Sequence, residues 1–79
     1  MMFSFLKRLT DCLQGKEYII SHVRAGYTAK RRLANLGIIP GEKIIKSRAA
    51  PFHGPIEVII KGTKLVLGRG LATKIIVRE

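Results

Sequence analysis

The sequence predicts a mainly β domain, a small barrel of about five short strands with one short helix inserted after the first strand. Composition points there first. The chain has 79 residues, 47% of them hydrophobic, with three Phe, two Tyr and no Trp, so Ile, Leu and Val must build the core. β-Branched residues favour strands. The apolar runs are also short and broken by glycine or proline, and two of them are separated only by Lys61-Gly62, a hairpin spacing. Strands this short cannot leave two hydrophobic faces open, and closure removes the edges that would aggregate.

A chain of this length forms one domain and buries roughly 60 to 65% of its unfolded surface. Phe3, Leu6, Leu9 and Leu13 have near-helical spacing, so Met1 to Leu13 reads as a short amphipathic helix or an apolar arm laid on the body. Glu17 to Val23 reads as the first strand. The helix follows from about Thr28, which can cap its start, to Leu36, with Leu33 and Leu36 as an apolar stripe. Gly37 is the residue expected at C′, where φ turns positive, and Pro40-Gly41 stops the helix and turns the chain. With Leu36 as Ccap, Leu33 and Ile38 occupy the C3 and C″ positions that touch in a Schellman ending.

Glu42 to Ala49 reads as the second strand, with Ile44 and Ile45 facing opposite ways. Ala50 to Pro55 is a loop, since two prolines and a glycine suit no ladder. A two-residue turn at Lys61-Gly62 pairs Ile60 with Thr63, Val58 with Leu65 and Ile56 with Leu67, making one face almost wholly apolar. The other face leaves Ile59 and Val66 outside, either as scattered aliphatics or as a small patch for a partner or second copy. Gly68-Arg69-Gly70 breaks the strand, Leu71 to Thr73 makes a tight turn, and Lys74 to Glu79 closes the sheet.

Fifteen Lys and Arg against five acids give a formal charge of +10. A field of that sign favours nucleic acid, an anionic membrane face or an acidic protein. No aromatic residues interleave the cations as a base-stacking platform, which weighs against nucleic acid. Enzyme signatures are missing, because no His is spaced with a carboxylate or Cys in a nucleophile pattern. His22, His53 and Cys12 are too scattered in sequence for a dedicated metal cage, and no cofactor motif is present. The lone Cys12 excludes an internal disulfide and reads as a core filler in a cytoplasmic protein. No segment approaches the ~20 apolar residues of a membrane span.

Lys30-Arg31-Arg32 is the sharpest functional candidate. Three cations early in a helix oppose its macrodipole, at about 0.3 to 1 kcal/mol for each charge near the terminus. With Lys46 or Arg48 from the next strand they form either a basic docking face or a solvated charge run. Phe52 and His53, in the Pro51 to Pro55 loop, are candidates for partner contact.

Several residues together carry a family resemblance: Leu9-Thr10-Asp11 with Gly15, Lys30 to Leu33, Leu36-Gly37-Ile38, Pro40-Gly41, Ala50-Pro51, Gly54-Pro55-Ile56, Gly62, Leu65-Val66-Leu67, Ala72 and Ile75. From Leu9 to Glu79 the chain resembles the FeoA family, the small cytoplasmic component of bacterial ferrous iron transport, whose domain also ends some metal-dependent repressors. Residues 1–8 are then an N-terminal extension of a 9–79 domain. The resemblance implies an SH3-like barrel and an accessory role beside the large membrane transporter FeoB, docking on its cytoplasmic GTPase region at the inner face of the membrane. Lys30, Arg31, Arg32, Arg48, Phe52 and His53 are the expected contact residues, and Leu33, Leu36, Gly37, Pro40, Gly41 and Gly62 the structural ones. A free nucleic-acid module predicts salt-sensitive DNA binding, and a metal sensor predicts a metal-dependent melting shift.

Overall fold

Apolar residues from every region of the chain meet in one cluster, built on Leu9, Tyr18, Ile20, Leu33, Ile38, Ile44, Ile56, Val58, Ile75 and Val77. The computed structural model describes residues 5–79. The elements around this cluster are β1 (Lys7–Arg8), a 3₁₀ turn (Leu9–Asp11), β2 (Glu17–Val23), α1 (Tyr27–Asn35), β3 (Lys43–Ala49), β4 (Ile56–Ile60), β5 (Thr63–Leu67), α2 (Arg69–Ala72) and β6 (Ile75–Arg78). All strand pairings are antiparallel, in the order β1-β6-β2-β3-β4-β5.

The mainly β prediction and the inserted helix agree with this architecture, with one strand more than expected. That strand, Lys7–Arg8, makes the predicted first strand the second. Arg8 ends the expected extension, yet Lys7 and Arg8 stand opposite Val77 and Ile76 in the sheet. Leu9–Asp11 is a 3₁₀ turn, so no single helix runs to Leu13. The part of that expectation covering Met1 to Ser4 lies outside the described residues. Among the described residues the ladder is not hydrogen-bonded around its circumference, for β1 and β5 are its two ends. Instead β2 shifts register between Ile20 and His22, and β3 between Lys46 and Arg48. Such bulges bend strands and let one sheet curl over a single core.

The helix exit follows the expected geometry. Ile38 N–H donates to the Leu33 carbonyl at 3.0 Å and Gly37 N–H to the Ala34 carbonyl at 2.9 Å, the paired bonds of a Schellman ending. Gly37 has φ +94°, and Leu33 and Ile38 are both buried. Two helix expectations are corrected. Gly26, not Thr28, is the N-cap, and no side-chain bond caps it. Leu36 stands at the C-cap, turned off the buried stripe, and is 43% exposed. At the far hairpin the register is as computed from a two-residue turn, Ile60 opposite Thr63 through Ile56 opposite Leu67. Lys61 and Gly62 both take positive φ, +50° and +77°, which matches the right-handed strand twist. Helix α2 starts at Arg69, inside the stretch expected only to break the strand.

Candidate docking surface

Helix α1 buries Leu33 and presents Lys30, Arg31 and Arg32 to solvent. Arg31 lies two residues before Leu33, about 200° around the helix, and so points nearly opposite the core. Its guanidinium donates to the exposed Tyr27 hydroxyl at 3.5 Å. The first turn holds no acidic residue, and among the described residues the ion pairs involve other cations. The expected conflict with the dipole is corrected: in a helix spanning Tyr27–Asn35, Lys30 and Arg31 lie past the first turn and Arg32 falls in the last, where a cation is favourable.

The second group of candidates lies elsewhere. Arg48 is exposed on β3 opposite Glu57, and the loop leaving β3 turns tightly, with Gly54 N–H donating to Pro51 carbonyl at 3.1 Å. Phe52 and His53 at its tip have φ +57° and +59°, a left-handed pair that bulky side chains resist. Phe52 is 96% exposed. At Gly54 any Cβ would lie 2.8 Å from the Ala50 Cβ, so the tight return excludes a side chain. The α1 corner enters β3 at Lys43 while this loop leaves at Ala49, opposite ends of a strand roughly 20 Å long. The six candidates form two separate groups.

Lys46 does not belong to either. It is only 7% exposed, and its ammonium donates to the carbonyls of Thr10 and Cys12, both at 2.9 Å. Strand alternation was the overlooked signal, since Lys46 shares the inward phase of buried Ile44. Gly15 N–H also donates to the Lys46 carbonyl at 2.9 Å, so β3 grips the 3₁₀ turn and the loop after it. Cys12 is buried beside this clasp, its thiol donating to the Arg8 carbonyl at 3.5 Å. Burial pushes its pKa above the ordinary thiol range despite nearby Lys46.

On the outer face Ile59 is half-buried beside Ile45 in a groove of about 350 Å³ that also takes in Glu17 and Glu42, while Val66 stays exposed. Among the described residues no three His, Cys, Asp or Glu side chains converge to hold a metal ion. No described helix is long and apolar enough to cross a membrane.

Comparison with known proteins places this geometry. The crystal structure of an iron uptake regulatory protein, FeoA, superposes with a TM-score of 0.85 at 28% identity, covering 94% of this chain and 97% of that one. The solution structure of the FeoA protein from Chlorobium tepidum gives 0.83 at 33% identity, over 91% of this chain and 69% of the other. A manganese-dependent transcriptional repressor shares the fold at a TM-score of 0.87 and 23% identity, this chain covering 44% of its length and matching along 99% of its own. In sequence, the "Putative Fe(2+) transport protein A" of Methanocaldococcus jannaschii is 38% identical over 66 residues, 84% of this chain and 78% of that protein. The fold is SH3-like, and the family model for the FeoA domain matches residues 7–79, from β1 through β6. With the family model matching nearly the whole chain and a relative 38% identical over 84% of it, the chain belongs to the FeoA family.

Proposed function

We propose that this chain is a non-enzymatic accessory protein of ferrous iron uptake that docks, in the cytoplasm and at the inner face of the membrane, on the cytoplasmic GTPase region of the transporter FeoB. Family membership supports the iron-transport setting. One observation supports the docking surface: Lys30, Arg31 and Arg32 stand exposed on a helix without acidic compensation, fixed in direction by the Gly37 corner. Uncompensated charge on a rigid element costs the free protein a little and accelerates encounter with an acidic surface. Phe52, held out on its tight turn, supplies an apolar contact at the other end of the sheet.

The test is a binding measurement between this chain and the transporter's cytoplasmic domain across a salt series. Reversing all three helix charges (K30E, R31E, R32E) should slow association about tenfold or more and flatten its salt dependence. Wild-type kinetics in the reversed variant would remove α1 from the interface. Loss of binding in Phe52→Ala alone would move the contact to the β3–β4 loop.

A further inference from the structure

A second basic surface, independent of α1, lies on the outer face of β1, β6 and β2. Arg8 and His22 both stand opposite Ile76, from neighbouring strands on either side of it, so the three side chains form one row across the sheet. Ile76 is buried yet lies outside the core cluster, which places it on the outward face as a floor. Lys7, Arg8, His22 and Arg24 surround that floor in a groove of about 370 Å³, with Leu6 at its margin. Asp11 is the one acid there, paired with Arg8 at 3.2 Å through groups both more than half exposed. So weak a pair leaves the cationic character of the groove in place.

Directly before these cations the chain exposes apolar side chains, Phe5 at 77% and Leu6 at 54%. In sequence the apolar character continues upstream through Met1, Met2 and Phe3, with Ser4 the single polar residue ahead of Lys7. We propose that Phe5, Leu6, Lys7, Arg8 and Arg24 form a peripheral anchor for an anionic lipid surface. An acidic peptide would need only the cations. Bulky apolar groups standing in water beside a cationic rim fit a bilayer interface, where an aromatic and an aliphatic chain enter the acyl boundary while Lys and Arg meet headgroup phosphates. The proposed contact is interfacial, made by side chains that enter only the boundary of the bilayer. Stable attachment takes an apolar and an electrostatic signal together, and both occur here within four residues, Phe5 to Arg8.

The experiment uses the 79-residue chain and vesicles, with no transporter present, so it stands or falls apart from docking on FeoB. Vesicles of phosphatidylcholine with about one third phosphatidylglycerol should sediment the protein at least about tenfold better than phosphatidylcholine alone. Phe5→Trp should show blue-shifted emission on the anionic vesicles. The double variant F5S, L6S should lose about tenfold in partitioning, and K7E with R8E at least as much. Arg24→Glu, outside every strand, gives a second charge test should changes in β1 disturb folding, which circular dichroism melting reports. Equal binding to both vesicle types would overturn the proposal. So would undiminished binding of F5S, L6S, which leaves only net charge, or capture by poly-glutamate as tight as by anionic vesicles.

Discussion

Lys46 carries its charge beneath the surface without a carboxylate beside it, and two carbonyls receive its ammonium. Burying a charge is costly, but charge-assisted bonds are about twice as strong as neutral ones, and both acceptors would lose their donor together. Lys46→Met keeps the aliphatic stem and removes those bonds. The expected loss is about 1 to 3 kcal/mol in urea denaturation. An unchanged or raised midpoint would show that desolvation of the ammonium outweighs its bonds. The phase of this residue was legible in the Ile44, Lys46 alternation, whereas its acceptors were not, because Thr10 and Cys12 lie more than thirty residues upstream. The charge of Lys46 points to the surface and its strand phase to the interior, and the phase prevails.

Among the elements, the α1 exit and the β4–β5 hairpin were the most legible, because each is closed by bonds between residues near in sequence. Gly37 joins two requirements, a φ of +94° and an approach in which a Cβ would lie 3.3 Å from Ile60 Cγ2. Gly41 has nearly the same φ, +92°, with nothing within 4 Å. Both alanine variants incur the left-handed strain, about 1 to 2 kcal/mol, and only Gly37→Ala must also displace the β4 side chain. Thermal and urea unfolding should rank Gly37→Ala below Gly41→Ala. The reverse order would show that the helix end does not bear on the hairpin. β1 was illegible for the opposite reason, since Lys7 and Arg8 have little strand propensity and become a strand only through Ile76 and Val77 at the other end of the chain. The two groups of candidate contacts were likewise legible as exposed residues, but their separation by the length of β3 was not.

Across the whole molecule, fifteen cations face five acids within a radius of gyration of 11.7 Å. Among the described residues three ion pairs form, Arg8 with Asp11, Lys16 with Glu79 and Lys61 with Glu42, all with substantial exposure. Exposed pairs of this kind contribute little to stability. Repulsion among the remaining cations acts over the whole surface and is screened once the Debye length falls to about 10 Å, near 0.1 M salt. Melting temperature should therefore rise with sodium chloride from about 10 to 100 mM. A fall would mean that the ion pairs outweigh the repulsion. The Lys16 and Glu79 pair gives the signs with pH. Their bond lowers the Glu79 pKa, so that contribution is lost as pH falls through the lowered value, and it raises the Lys16 pKa, so that part is lost as pH rises through the raised one.

The strand order has a temporal side. Ribosomal synthesis delivers β1 and β2 first, yet the slot between them belongs to β6, the final element in chain order. Until Ile75–Arg78 emerges, the flanks of β1 and β2 that will receive it stay unpaired, and Leu9, Tyr18 and Ile20 lack the Ile75 and Val77 side chains that complete their cluster. Closure of this sheet therefore waits on its last strand, through the slow search typical of pairings between distant segments.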